Sequence, residues 1–213
     1  MGTYNKGILG AFSGKVGPVV GASWRGKDVL RSLPRRGTRV ATEAQLTQRM
    51  KFSTVTAFLQ PLKPIITKYY GGNNQEQTRR NQAMSYHMKE ALTFVDPEYA
   101  ITINKVQISK GDLIGLLSPT IATGAAQSVE INWTDNSAEG AAKPTDVLVV
   151  ALYEPSTKTT VYSVNAGARN AETSTVIVPA DLTGLTMHVW ATFASADEKL
   201  YATSAYLGSV VIG

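Results

Sequence analysis

Two histidines are the residues of this sequence best suited to acid–base or metal chemistry. His87 follows Tyr86 on a predicted helix, and the one carboxylate at helical spacing from it, Glu90, does not make a metal site by itself. His188 alternates with Met187 and Val189 along a predicted strand, so its ring should point outward. Nothing in the two regions indicates that they converge on both histidines. We therefore predict structural or solvent-facing histidines, no catalytic residue and no metal site.

The acidic residues of the second half are dispersed over separate predicted turns, where Asp accepts hydrogen bonds from nearby backbone N–H groups. The acidic residues at these turns are Asp135, Asp146, Asp181, Asp197 and Glu198. No Asp-x-Asp-x-Asp run for calcium is present. With no cysteine in the chain, disulfides, thiolate ligands and cysteine nucleophiles are excluded. These residue types predict a protein that is not an enzyme and that has no cofactor.

A glycine–lysine motif near the N-terminus approaches a phosphate-binding loop. Gly7 and Gly14-Lys15 are separated by two residues more than that loop allows, and Val16 stands where a magnesium-binding hydroxyl is required. No strand-to-helix transition surrounds the motif. The glycines are better explained by positive φ angles or close backbone approach.

The basic residues of the first forty positions give the strongest chemical signal. This segment holds eight glycines and eight Lys or Arg against one acid, Asp28. Two extended runs, 17–26 and 28–33, with a Gly-Lys turn between them, predict a β-hairpin with apolar residues in alternation. Cations beside Trp24 suit phosphate contact and base stacking, whereas the apolar alternation suits strand addition to a neighbouring sheet edge.

We interpret this N-terminal arm as a docking element first and a polyanion contact second. Whether it inserts in the same copy of the chain or in a neighbour stays open. The predicted docking residues are Val19, Val20, Trp24, Arg25, Val29, Leu30 and Arg31, and the predicted polyanion contacts are Arg35, Arg36 and Arg39.

The charge is divided unequally along the chain. Residues 1–95 carry fifteen Lys or Arg against four Asp or Glu, whereas residues 96–213 carry six against twelve. The basic half could meet nucleic acid or another polyanion, the two halves of neighbouring copies could attract each other, or the cations could simply cover a solvated helical surface.

The chain has no signal-peptide pattern and no apolar run near the roughly 20 residues of a membrane span. We expect synthesis in the cytoplasm, with later incorporation into a virion or extracellular assembly as one outcome.

A helical region is predicted after Ala41. Thr42 and Gln45 have the spacing of a capping box, in which each side chain bonds the other residue's backbone N–H. The predicted helices cover about 42–60, a short stretch through Ile65 and Tyr69, and about 78–93. One buried face of the first helix is predicted to hold Leu46, Met50, Phe52, Val55, Phe58, Leu59 and Leu62.

The period of the apolar residues changes from 3.6 to 2 after Asp96-Pro97. Ile101 to Ile108 alternate with a slip at Lys105, which predicts a bulged strand. Alternation directs Trp133 inward, and an apolar run marks 146–153 as a central strand. The further predicted strands are 128–134, 159–164, 174–178, 186–193 and 199–211.

About seven strands, an inward Trp and no intervening helix predict an immunoglobulin- or fibronectin III-like β-sandwich. The predicted fold class is α+β, with an extended β-hairpin arm (1–40), a helical region (41–95) and this sandwich (96–213).

Seven stretches of the chain form a recognisable set: Gly7–Gly17, Val20–Gly26, Arg31–Pro34, Ala41–Phe52, Ser85–His87, Ile108–Gly111 and Phe193–Asp197. Together they resemble an uncharacterised Bacteroidota family, a domain of unknown function of about this length. The similarity extends over the whole chain, and the resemblance implies no activity. A looser resemblance links the N-terminal pattern to phage-associated hypothetical proteins.

Two functions follow as hypotheses. The first is a non-enzymatic subunit of a homo-oligomeric particle or filament, whether virion, phage-like or extracellular. Its partners are other copies of itself and other structural proteins of the assembly. The second is a module that binds a glycan, a cell surface or nucleic acid through the sandwich loops or the basic arm. Its aromatic platform would comprise Tyr153, Tyr162, Trp190, Tyr201 and Tyr206, which we interpret instead as core and sheet-face residues.

Overall fold

The computed structural model describes residues 2–4, 10–24, 27–33, 37, 40–72, 77–125 and 127–213. The chain forms two compact units, Met1–Leu46 with Asn73–Thr78 and Thr47–Gly72 with Arg79–Gly213. Antiparallel sheets predominate among the described residues, together with three short α-helices, so the predicted α+β class is confirmed. The predicted boundaries after residues 40 and 95 stay predictions. None of the helices described here is long and apolar enough to cross a membrane.

The first unit contains an antiparallel sheet, called the N-terminal sheet below, whose four strands are neighbours in chain order. The predicted hairpin corresponds to its last two strands, which pair Val19 with Ser32 and Trp24 with Lys27. Gly17, at φ +57°, allows the tight turn before Val19. The strands are β1 (Gly2–Tyr4), β2 (Phe12–Val16), β3 (Val19–Trp24) and β4 (Lys27–Ser32).

The first helix, α1 (Glu43–Leu59), begins at the predicted capping box. The backbone N–H of Gln45 donates to Oγ1 of Thr42 at 3.4 Å, and the N–H of Thr42 donates to Oε1 of Gln45 at 3.3 Å. The reciprocal bonds satisfy N–H groups that a helix start leaves without partners. This prediction is confirmed.

The predicted buried face of α1 is correct only for its second half. Val55, Phe58 and Leu59 are buried, and Leu62 beyond the helix is also buried, whereas Leu46, Met50 and Phe52 are exposed. Helical phase explains Leu46 and Met50. At 100° per residue, the two-residue step from Met50 to Phe52 turns the helix by about 200°, so Leu46 and Met50 project away from the buried face. Phe52 is in phase with Val55 and Leu59 but is exposed all the same.

Two shorter helices follow, and the second ends earlier than predicted. These are α2 (Lys63–Tyr69) and α3 (Arg79–Tyr86), the latter continued by a π-helical turn over His87–Ala91. A hairpin of β5 (Leu92–Val95) and β6 (Glu98–Ile101) then reverses the chain at Asp96-Pro97. The apolar periodicity predicts helix to about residue 93, whereas strand β5 already begins at Leu92.

Seven further strands form two sheets. A four-stranded sheet has the order β10-β9-β12-β13, and a three-stranded sheet has the order β11-β8-β7. The strands are β7 (Leu117–Thr123), β8 (Ser128–Thr134), β9 (Val147–Glu154), β10 (Thr159–Ser163), β11 (Thr173–Ile177), β12 (Thr186–Ala194) and β13 (Ala205–Val211).

The four-stranded sheet is buried on both faces, which explains the continuous apolar run of β9. Leu148, Val150 and Leu152 pack with Ile131 and Trp133 in a core shared with the three-stranded sheet. The alternating residues of β9 form the other core, with helical side chains. Those residues are Val149, Ala151 and Tyr153, and the helical side chains include Val55, Phe58, Leu59, Ile65 and Ile66. The helices therefore cover the sheet face that the three-stranded sheet leaves open.

The predicted strand over 101–108 is wrong beyond Ile101. Ile103–Lys105 form a 3₁₀ turn, after which Val106 is extended and Ile108 lies in a bend, and both are buried outside any named strand. An extended segment directs alternate side chains to opposite sides with or without a hydrogen-bonded neighbour, so period 2 alone does not identify a strand. Likewise β13 begins at Ala205 rather than at residue 199.

Candidate docking surface

The strand register of the N-terminal sheet gives it two distinct faces. Residues directly opposite on neighbouring strands share a face, and Lys15, Val20 and Arg31 form one such row across β2, β3 and β4. Trp24 and Lys27 are paired on the same side, and Trp24 is 60% exposed. We call this the basic face. It comprises Lys15, Val20, Ala22, Trp24, Lys27, Val29 and Arg31.

The opposite face of the sheet carries fewer charges and more glycine. Val16 pairs with Val19, and Gly21 pairs with Leu30, which is 67% exposed. Asp28 is the acid on this side, opposite Ser23. Both faces therefore present large apolar side chains to solvent.

Gly21 is required by close packing of strands. A Cβ at this position would collide with the backbone carbonyl oxygen of Phe12 on β2. Backbone cannot move aside as a side chain can, so any other residue would force β2 and β3 apart. Gly14 and Lys15, the residues that resemble a phosphate-binding loop, lie within strand β2.

The structure distributes the predicted docking residues over both faces. Val20, Trp24, Val29 and Arg31 lie on the basic face, whereas Val19 and Leu30 lie on the other. Sequence alternation could have separated the two groups once the turn between β3 and β4 was known, because the turn fixes the register. Outside the described residues lie Arg25, Arg35, Arg36 and Arg39.

The histidines occupy separate positions in the second unit. His87 is wholly buried in the π-helical turn; its Nδ1–H donates to the carbonyl of Ala83 at 2.8 Å, and its Nε2 accepts from the N–H of Gln107 at 3.3 Å. Burial lowers its pKa. His188 on β12 is half-buried and bonds the Tyr206 hydroxyl at 2.9 Å, and burial lowers its pKa also. Both serve packing and hydrogen bonding.

A cleft of about 530 Å³ opens between the α2–α3 segment and the residues around Lys110 and Tyr201. The Tyr201 hydroxyl donates to the carbonyl of Gly71 at 2.5 Å and so joins two of its walls. Burial raises the pKa of Tyr70 and of Tyr86, which line the same cleft. The Tyr86 hydroxyl donates to the carbonyl oxygen of Lys105 at 3.1 Å, whereas the buried Tyr70 hydroxyl has no hydrogen-bond partner among the described residues.

The aromatic residues that could have formed a binding platform are mostly in the core. Tyr153, Trp190 and Tyr201 are buried, Tyr206 is half-buried, and Tyr162 is exposed on the edge strand β10. Within the described ranges, no three His, Asp or Glu side chains are grouped so that they could hold a metal ion.

Residues 11–208 of the sequence match one family model. The chain belongs to DUF6266, a family of unknown function. Membership covers all strands from β2 onward except the end of β13, so the N-terminal sheet belongs to the DUF6266 unit almost completely. No curated protein and no solved structure matches the chain. The Bacteroidota origin and the resemblance to phage-associated proteins stay predictions.

Proposed function

We propose that the protein is a non-enzymatic structural protein, a subunit of a homo-oligomeric particle or filament, in which the N-terminal sheet docks on a neighbouring copy. The observation that carries the proposal is the exposure of large apolar side chains on both faces of this sheet, Trp24 on one and Leu30 on the other. A sheet normally buries at least one face against another layer. Contiguous exposed apolar surface is typical of protein–protein contact sites.

A second feature supports assembly. The first half of α1 exposes Leu46, Met50 and Phe52, although the rest of the helix packs into a core. Phe52 borders a groove with Met84 and Met88 in the second unit. Methionine-rich apolar grooves adapt readily to a partner's side chains.

For the second unit we propose an immunoglobulin- or fibronectin III-like sandwich as the packing or outward-facing module. The strand orders β11-β8-β7 and β10-β9-β12-β13 support it, since they place consecutive strands in two sheets around one core. The resemblance to phage-associated proteins favours a virion or phage-like particle, with an extracellular assembly as the other setting.

The test compares self-association of the full-length protein with that of Trp24→Ser and Leu30→Ser by sedimentation velocity over a range of concentrations. Each sheet variant should weaken association about tenfold or more if its face is buried in the contact. Ile177→Ser is the matched control, because Ile177 is 77% exposed on β11 in the second unit. A wild-type protein that stays monomeric at high concentration contradicts the proposed function.

A polyanion-binding module is the second candidate, and the basic face favours it. Lys15, Lys27 and Arg31 share this face with Trp24, as in sites where cations contact phosphates and an aromatic ring stacks on a base. Binding to a labelled single-stranded oligonucleotide should then fall steeply with salt. Full affinity after replacing Arg35, Arg36 and Arg39 by Ala would exclude those three as contacts.

A further inference from the structure

Three exposed carboxylates, those of Asp135, Glu139 and Glu172, lie in the loop after β8 and directly before β11, at one end of the second unit. Oε1 of Glu172 accepts a hydrogen bond from the backbone N–H of Asp135 at 3.2 Å. Asp135 and Glu139 both lie near enough to Arg169 to act electrostatically on its guanidinium. We call this group the acidic end.

The acidic end keeps a negative charge. Arg169 is already paired with buried Asp146, which leaves Lys143 as the cation in the same loop. The consecutive carboxylates Asp197 and Glu198 are instead each paired with a cation: Glu198 pairs with Lys68, and Asp197 pairs with Lys199.

The backbone beneath the acidic end is firmly held. Arg169 donates to the carbonyl of Ile114 at 2.8 Å and to Oδ1 of Asn136 at 2.5 Å. Leu117, which pairs with Thr134 directly before Asp135, adds an exposed apolar side chain. The acidic end therefore presents an aliphatic side chain beside carboxylates. Because its backbone is already fixed, binding a partner there costs little conformational entropy.

The basic face of the N-terminal sheet has the complementary pattern, an exposed Trp24 beside Lys15, Lys27 and Arg31. We propose that the basic face of one copy docks on the acidic end of a second copy. This inference rests on the assembly function proposed above. The two surfaces differ, so the contact is heterologous, and repetition gives a ring or an open filament.

Charge reversal on each side tests the pairing in the full-length chain. The first variant is Lys15→Glu/Lys27→Glu/Arg31→Glu. The second is Glu139→Lys/Glu172→Lys. It keeps Asp135, whose Oδ1 accepts the N–H of Ser137, but it gives up the bond from the N–H of Asp135 to Glu172, and recovery in the mixture described below shows whether the surface survives that loss. Each variant alone sets like charges against each other, so its association should weaken at least tenfold. An equimolar mixture should recover wild-type association, because both of its contacts then join opposite charges.

Matched controls carry the same charge changes on exposed residues elsewhere in the second unit. They are Lys63→Glu/Lys89→Glu/Lys105→Glu and Glu130→Lys/Asp181→Lys, and both should associate as the wild type does. Circular dichroism at the working temperature checks that every variant is folded. Recovery of association in the mixture shows in addition that each variant can still bind a partner of opposite charge.

The outcomes separate this inference from the function on which it rests. If the wild type associates and the two charge-reversal variants associate equally well, the pairing is wrong and the assembly function stands. If both variants lose association but the mixture does not recover it, the two surfaces do not meet each other. A monomeric wild type overturns the assembly function and the pairing together.

Discussion

Nε of Arg169 lies 3.2 Å from Oδ2 of Asp146, and both side chains are withdrawn from solvent. The guanidinium also lies 3.9 Å from the ring centre of Phe193, and the indole N–H of Trp133 donates to the backbone carbonyl of Arg169 at 2.7 Å. This cation thus connects the loop before β9, the segment before β7 and the core between the two sheets. Asp146 does bond its own turn through the N–H of Lys143, but its main partner is 23 residues further along the chain.

Breaking this pair should be strongly destabilising. Arg169→Leu leaves the Asp146 carboxylate buried without its cation, and the free energy of unfolding should fall by roughly 3–5 kcal/mol. Chemical denaturation of the variant and the wild type measures this loss in free energy. The double variant Arg169→Leu/Asp146→Asn buries no lone charge. Its loss in free energy of unfolding should therefore be smaller, by more than about 1 kcal/mol, than the two single-variant losses added together.

The exposed pair Lys199–Asp197, with nitrogen and oxygen 3.5 Å apart, is the matched control. Lys199→Leu should change the free energy of unfolding by less than about 1 kcal/mol. Equal losses for Arg169→Leu and Lys199→Leu would contradict the role given to the buried pair.

Stability should decrease as the pH falls below about 6.5, the ordinary pKa of His. Burial lowers the folded-state pKa of His87, so the unfolded chain takes up a proton first and is favoured in acid. Protonation at Nε2 would also displace the N–H of Gln107. Urea unfolding between pH 7.5 and 5.5 should show a shallower pH dependence for His87→Gln than for the wild type. His188 contributes in the same direction, so some dependence remains. An unchanged slope in the variant would count against His87 as a source.

A second pH dependence should appear at lower pH from Glu154. The hydroxyl and backbone N–H of Thr157, with the N–H of Ser156, donate to its carboxylate and lower its pKa from 4.5 to about 2. The stabilisation is therefore complete above pH 4.5 and is lost as the pH falls toward 2. Glu154→Gln should unfold at lower denaturant concentration at pH 7 and should show a weaker loss in acid. Glu130→Gln, an exposed position on β8, should behave as the wild type in both respects.

Gly21→Ala should loosen the N-terminal sheet, since the added Cβ meets the Phe12 carbonyl. Hydrogen exchange should accelerate for the amides of β2 and β3 but not for those of β9. Self-association should weaken in parallel if the sheet is the docking element. Ser23→Ala, on the same face of β3 and exposed, is the control. Normal association by Gly21→Ala despite fast exchange would argue against docking through this sheet.

Local patterns predicted the elements well where one interaction determined them. Strand β8 begins and ends at the predicted residues because strict alternation reflects a single buried face with Val129, Ile131 and Trp133. The start of α1 followed from the side chains of Thr42 and Gln45 alone.

Predictions failed where distant parts of the chain decide the outcome. Ser109 Oγ donates to the carbonyl of Ala202, and Ser204 Oγ accepts the N–H groups of Ile108 and Ser109, so contacts about 95 residues away hold this segment in place outside any named strand. The Arg169–Asp146 pair was missed for the same reason, since no local spacing connects its members. The described members of the predicted docking set lie on strands β3 and β4, and their division between two faces depends on register.

The double burial of β9 has a consequence for how members of the family can diverge. Val149 and Ala151 belong to the core with the helices, whereas Leu148 and Val150 belong to the core with the three-stranded sheet. We therefore expect neighbouring positions in this strand to co-evolve with different partners. Substitutions in α1 and α2 should be accompanied by substitutions at the odd-numbered positions of β9. Substitutions in β8 and β11 should be accompanied by substitutions at the even-numbered positions.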